Sequence, residues 1–186
     1  MYSFSLFETP IGRCGIAWTM QGIARFCFPE GNDDRTKGRL LKGIDAVEAD
    51  TPPAFIRQAI DLVRQLMAGE KISFAAIPLD LTGVSDFHRR VYQEISKIPP
   101  GQTATYGEVA ARVGEPKGAQ AIGQAMGRNP IPVIIPCHRV LAAGSSLGGF
   151  SGAGGVDTKR RLLEIEGALP PEPPSLFDLL DDNSQR

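Results

Sequence analysis

Cys137, His138 and Arg139 follow one another directly after the segment Asn129-Pro130-Ile131-Pro132-Val133-Ile134-Ile135-Pro136. A thiolate is the nucleophilic form of cysteine, and cationic or basic neighbours lower a cysteine pKa from its free value of ~8.5. A buried, inert cysteine has no need of such neighbours, so the trio favours a reactive thiol. The apolar run pinned by three prolines reads as a strand, in which adjacent side chains point to opposite faces. His138 then needs a turn or a bridging water to act on Cys137. The other cysteines, Cys14 and Cys27, lie in strand-like segments with no thiol or histidine at ligand spacing, and read as small buried hydrophobes.

Periodicity gives the elements that must hold this trio. Residues 2–7 predict a strand, Thr9-Pro10-Ile11-Gly12 a turn, and Arg13–Thr19 with Gly22–Phe28 a hairpin joined through Met20-Gln21. The polar stretch 29–50 predicts a surface loop with a short helix. Thr51 is the expected N-cap of a helix over about 53–68, with Ile56, Ala59, Ile60, Val63, Leu66 and Met67 apolar and Gly69 just past its end. Lys71–Leu81 reads as strand again. Gly83-Val84-Ser85 is the expected boundary between an α/β N-terminal domain, 1–84, and a mainly α C-terminal domain, 85–169. In the latter, Asp86 is expected to cap a helix with Phe87, Val91, Ile95 and Ile98 inward, ended by Pro99-Pro100-Gly101. Thr105-x-x-Glu108 is a capping-box pattern opening a short helix that Gly114 stops. Pro116 starts the next helix, Lys117 to about Gly127, with Ala119, Ile122, Gly123 and Met126 on one face. Two short helices around a Gly-containing turn predict a winged-helix-like helix-turn-helix.

A chain of 186 residues, 42% hydrophobic and 22% charged, is not disordered throughout and can build one large or two small cores. No apolar run reaches the ~20 residues of a membrane helix, and the first residues lack a basic-then-apolar leader pattern. A cytoplasmic protein without a membrane partner is expected. Three cysteines with no CxxC pair support neither a disulfide scaffold nor a zinc finger. With only His88 and His138 as histidines, neither a metal nor another cofactor is expected. The net charge of −1 conceals a local excess: residues 87–161 carry 10 Lys and Arg against 4 Asp and Glu, between flanks of 9 against 11 and 1 against 6. Such a block suits a nucleic-acid face, and equally a solvated surface beside acidic neighbours. On the second helix, Gly118, Ala119, Ala121, Gly123 and Ala125 leave only Lys117, Gln120 and Gln124 as long donors. It is built to approach DNA closely and read little sequence, or to pack tightly in a core. The Pro-rich, acidic residues 170–186 read as a solubilising tail.

Pro136-Cys137-His138-Arg139-Val140, with Asn129-Pro130 before it and Gly148-Gly149-Phe150-Ser151-Gly152 and Lys159-x-x-Leu162-Leu163-x-x-Glu166-Gly167 after it, resembles the O6-alkylguanine-DNA alkyltransferases, the methylated-DNA–protein-cysteine methyltransferases. The resemblance runs from about Phe87 to Gly167 and includes Gly101-x-Thr103-x-Thr105-Tyr106-Gly107. It implies that Cys137 accepts the alkyl group, that His138 acts as base through a water, and that Glu166 orients His138. It implies also that Tyr106 bonds the flipped guanine, that the carbonyls of Cys137 and Val140 accept its 2-amino group, and that the N–H at Ser151 approaches O6. Met126, Phe150 and Gly152 would line the pocket, Asn129 would tie the helix pair to the acceptor loop, and Arg139 would be structural. The partner implied is double-stranded DNA containing O6-alkylguanine, bound by a monomer, with Ala119, Gln120, Lys117, Arg128, Arg112 and Arg89 toward the duplex. Where the family commonly carries an intercalating arginine, this chain has Gln120.

Three other readings compete. A non-catalytic sensor of alkylated DNA commonly lacks the acceptor cysteine, which Cys137 argues against. A cysteine hydrolase or thiol redox enzyme would turn over a small substrate without DNA. A transcription factor would need longer side chains on the second helix.

Overall fold

In the computed structural model, which describes residues 1–145 and 147–170, the chain opens with three antiparallel strands. β1 (Tyr2–Thr9), β2 (Gly12–Thr19) and β3 (Gly22–Cys27) turn tightly onto one another, and β4 (Ala46–Glu48) joins parallel to β1, giving the order β3-β2-β1-β4. Gly22 is required at its turn: with φ of 152°, a Cβ there would lie 2.5 Å from the Pro78 carbonyl. That close approach lets Ile23 donate to the Pro78 carbonyl and accept from Asp80. Lys71–Leu81 is therefore not a strand but a strap touching β3 at a single bridge, Ile23–Leu79. Pro78 lacks the N–H a longer ladder needs.

Helix α1 (Asp33–Leu40) is capped by the Asn32 side chain, which accepts from the Arg35 N–H. Helix α2 (Ala54–Met67) lies against β1 and buries the six expected residues Ile56, Ala59, Ile60, Val63, Leu66 and Met67. Pro53, not Thr51, stands at its cap position and supplies no side-chain bond.

The C-terminal half is helical. Ser85 rather than Asp86 caps α3 (Asp86–Ile95), its hydroxyl accepting from the His88 N–H. Val91 and Ile95 are buried, as is Ile98 just past the helix end. Thr105 closes the expected capping box with Glu108 and opens α4 (Tyr106–Arg112). Helix α5 (Ala119–Gly127) begins two residues later than the sequence pattern predicts, because Gly118 donates to the Glu115 carbonyl and closes a turn first. It buries Ile122, Ala125 and Met126, leaving Ala119 exposed and Gly123 half-buried. Short strands β5 (Ala104–Thr105) and β6 (Val140–Leu141) pair in parallel, and α6 (Gly155–Ile165) follows. The acidic segment expected at the end of the chain lies, from residue 171, outside the described residues.

One buried cluster joins the halves: Phe7, Ile16, Phe26 and Val63 share it with Val91, Ile122, Ile135, Cys137 and Leu162. Tyr92 crosses from α3 to α5 inside this core, its hydroxyl donating to the Ala125 carbonyl at 2.8 Å. Tyr92→Phe is expected to cost about 1–2 kcal/mol in chemical denaturation, because a buried carbonyl loses its donor while the packing stays. An unchanged midpoint would show that the bond contributes nothing to stability.

Candidate active site

Cys137, His138 and Arg139 form one turn of 3-10 helix between Pro136 and β6, not the end of a strand. Cys137 donates its N–H to the Ile135 carbonyl at 2.8 Å and Arg139 donates to the Pro136 carbonyl at 3.0 Å. In such a turn successive side chains diverge by about 120°, so the opposite-face geometry of a strand no longer applies. Asn129 sets the approach: Nδ2 donates to the Ile135 carbonyl at 2.9 Å, and Oδ1 accepts from the Ile131 N–H at 3.0 Å. Between these anchors Val133, fully buried, has φ of 75°, a conformation a β-branched residue adopts only where its surroundings impose it.

Behind the turn, Glu166 at the end of α6 serves two partners. Its Oε1 lies 2.8 Å from His138 Nε2, and Arg139 donates to both carboxylate oxygens, at 3.0 and 2.8 Å. A third Arg139 nitrogen reaches the Ile98 carbonyl at 2.6 Å. Burial pushes the Glu166 carboxyl up, but the hydrogen bonds from His138 and Arg139 outweigh it and hold it at about 2. An ionised carboxylate only accepts, so His138 carries its proton on Nε2. Burial holds the His138 pKa down despite Glu166, which leaves a neutral ring with its lone pair on Nδ1. Nδ1 is buried and makes no hydrogen bond among the described residues.

In front of the turn is a cavity of about 580 Å³ lined by Cys137, Tyr106, Met126, Phe150 and Ser151, with Ala119, Gln120, Gly123 and Gln124 of α5 at its border. Of the small residues of α5, Ala119 and Gly123 therefore border open space, whereas Ala125 packs in the core. Burial pushes the Cys137 thiol up; Asn129, Lys159 and the N–H groups of the turn pull it back without cancelling that rise. Tyr106 is also raised by burial and by Cys137, so its hydroxyl stays a donor. The N-terminal sheet holds the far wall: Phe150 packs edge-on to Phe28 at 5.9 Å, Phe28 to Phe26, and Phe26 to Phe7. Arg39 of α1 donates to the Ser151 carbonyl at 2.6 Å.

Other expected residues stand apart from this cavity. Gly152, Asn129 and Arg128 line an adjoining cleft that shares Ser151. Gly152 has no room for a Cβ, which would meet Phe150 at 2.4 Å. Val140 is buried and its carbonyl accepts from Lys159 Nζ at 2.6 Å. Arg112, Lys117 and Arg89 are exposed outside the cavity, and Arg89 donates to the Val84 carbonyl. No group of three potential metal ligands is assembled among the described residues. Arg39 touches the site without any signal of role in local sequence, and Lys159 stands in the motif that carries the resemblance without a role implied for it there; both arrive from distant elements.

Residues 86–168 match the family model of the 6-O-methylguanine DNA methyltransferase DNA-binding domain. A methylated-DNA–protein-cysteine methyltransferase of Methanothermobacter thermautotrophicus is 42% identical over 139 residues, 74% of this chain and 76% of that one. One of Methanosarcina acetivorans is 36% identical over 165 residues, 89% of this chain and 98% of that one. The crystal structure of Mycobacterium tuberculosis OGT in complex with DNA superposes with a TM-score of 0.73 at 33% identity, covering 96% of this chain and 99% of that chain. With the likeness extending through both the sheet and the helical half, the chain belongs to the methylated-DNA–protein-cysteine methyltransferase family.

Proposed function

We propose that this protein repairs DNA by direct reversal, moving the alkyl group of an O6-alkylguanine irreversibly to Cys137. The observation that carries the reading is a cysteine at the cavity floor next to a neutral histidine, whose one proton is held by ionised Glu166 and whose Nδ1 lone pair is free. His138 takes the Cys137 proton at Nδ1, directly or through one water. The thiolate attacks the O6-alkyl carbon in line with the C–O bond. An S–C bond forms, the C–O electron pair passes to the base, and the base takes a proton to become guanine. Tyr106 donates to the base, and Val140 and Ser151 offer backbone groups to its edge. The thioether is stable, so each molecule acts once.

The reacting carbon lies inside the base stack, so the nucleotide must leave the duplex. Helices α4 and α5 serve as a helix-turn-helix, with Ala119 and Gln120 toward the duplex and Lys117, Arg128, Arg112 and Arg89 toward phosphates. The short side chains of α5 suit a protein that selects a damaged base by its ease of flipping rather than by sequence. We assign the domains 1–84 and 85–169 to scaffold and chemistry, and expect a monomer acting in the cytoplasm without a cofactor. No helix among the described residues is long and apolar enough to cross a membrane.

Incubation with a duplex carrying one O6-methylguanine is expected to add one methyl to the Cys137 peptide, read by mass spectrometry, saturating at one event per protein. Cys137→Ser should abolish it. Tight lesion binding with an unmodified Cys137 would favour a sensor instead, and no binding would favour a thiol enzyme. Gln120→Arg is expected to raise DNA affinity or the transfer rate, since glutamine can wedge into the stack but carries no charge; equal affinity and rate in the two proteins would remove Gln120 from the flipping step. Glu166→Gln is expected to slow transfer at least about tenfold by losing the acceptor that fixes the His138 tautomer. Because Glu166 is held below its ordinary 4.5, its stabilisation is present above that value and lost as pH falls toward about 2. The variant should therefore show a flatter pH dependence of unfolding across that window; equal acid lability would place the effect elsewhere.

A further inference from the structure

Lys159 is a buried cation for which the mechanism above has no use. Its side chain leaves α6 and runs into the protein interior, with the residue 1% exposed. Nζ donates to the Val140 carbonyl at 2.6 Å, approaches the Gly149 carbonyl at 3.5 Å, and sits 5.9 Å from the centre of the Tyr106 ring. These contacts join α6, β6, the loop before Phe150 and the first residue of α4, the elements that surround Cys137. Two carbonyls and a π face solvate an ammonium, but none of them carries a compensating charge. No carboxylate pairs with Lys159 among the described residues; Glu166, the only buried carboxylate beside the turn, is engaged by Arg139 and His138.

A buried charge is tolerated when something opposite is near. Around Cys137 there are two buried cations, Lys159 and Arg139, and one carboxylate, so with a neutral thiol and a neutral imidazole the interior holds one positive charge in excess. We infer that Lys159 is a positioning residue whose ammonium is the counter-charge of the Cys137 thiolate, so that forming the nucleophile completes an ion pair instead of adding an isolated anion. The inference rests on the reading of Cys137 as the nucleophile. The two groups feel each other's charge: Lys159 favours the thiolate, and Cys137 favours the ammonium. Burial lowers the Lys159 pKa to about 8, which keeps the side chain largely charged at neutral pH. The other titratable groups around this pair are Tyr92 from α3, Tyr106 from α4, His138 and Arg139 in the turn, and Glu166 at the end of α6. Both tyrosines are pushed up by burial and remain neutral, so neither supplies an anion to pair with the lysine.

The test reads the thiol without DNA. The full-length protein is treated with iodoacetamide across a pH series, and carbamidomethylation of the Cys137 peptide is followed by mass spectrometry. Cys14 and Cys27, whose thiols burial raises to about 12 and about 11, serve as internal controls. In Lys159→Gln, which can still donate to the Val140 carbonyl but carries no charge, the midpoint of the Cys137 profile is expected to rise by about one pH unit and the rate at pH 7 to fall about tenfold. Lys159→Arg is expected to keep the wild-type midpoint. A Lys159→Gln midpoint equal to wild type overturns the inference, even if methyl transfer from DNA is slowed. Should Lys159→Gln fail to fold, Lys159→Arg decides: a midpoint raised by about a unit although the charge is kept overturns it, and a wild-type midpoint supports it. Absence of methyl transfer from O6-methylguanine with the midpoint shift intact would instead overturn the repair reading and leave the ion pair standing.

Discussion

The buried Glu166 carboxylate is the interaction on which the site depends. It receives two hydrogen bonds from Arg139 and one from His138, so one residue at the end of α6 fixes two consecutive side chains of the Cys137–Arg139 turn. An isolated carboxylate in that position would be strongly disfavoured, and its bidentate arginine partner makes it tolerable. The consequence for chemistry is a defined tautomer: the proton of His138 is committed to Nε2, and Nδ1 is the basic nitrogen. The same arginine ties the turn to the end of the α3 region through the Ile98 carbonyl.

The turn is held from the front as firmly as from behind. Asn129 clamps the segment before it, and Val133 takes a left-handed conformation that the packed core imposes. On the other side of the cavity, the Phe150–Phe28–Phe26–Phe7 series and the Arg39 bond to Ser151 attach the cavity wall to the N-terminal sheet. The sheet supplies no residue to the Cys137–Arg139 turn, yet it fixes one wall of the cavity that the turn faces. The two halves share the larger of two buried clusters, and Phe150 and Ser151 are held against the N-terminal half.

Electrostatics in the interior follow from that packing. Three ionised groups, Glu166, Arg139 and Lys159, are withdrawn from water within one cluster around a thiol and an imidazole. Their effects are oriented to separate purposes. The carboxylate and guanidinium neutralise each other and orient His138, whereas the ammonium touches only carbonyls and an aromatic face. Burial raises the Cys137 thiol, and Asn129, Lys159 and the N–H groups of the turn act against that rise.

Local pattern by itself determined the antiparallel strands over 2–27, the apolar face of α2 and the capping box at Thr105. Each of these depends on residues a few positions apart, within reach of one strand repeat or one helical turn. It misread Lys71–Leu81, where Pro78 withholds a ladder donor, and the segment before Cys137, where apolar residues and prolines look like a strand but fold as a turn. An apolar run shows that a segment is buried; it does not show with which partner its N–H and C=O groups pair. Tertiary structure alone decided that Arg139 shares the Glu166 carboxylate with His138, that Arg39 holds the Ser151 carbonyl, that Ala119 and Gly123 of α5 border a cavity, and that Lys159 ends against the Val140 carbonyl. These contacts join residues 19 to 112 positions apart. Only the folded chain brings such groups within the few ångströms at which hydrogen bonds and buried charges act.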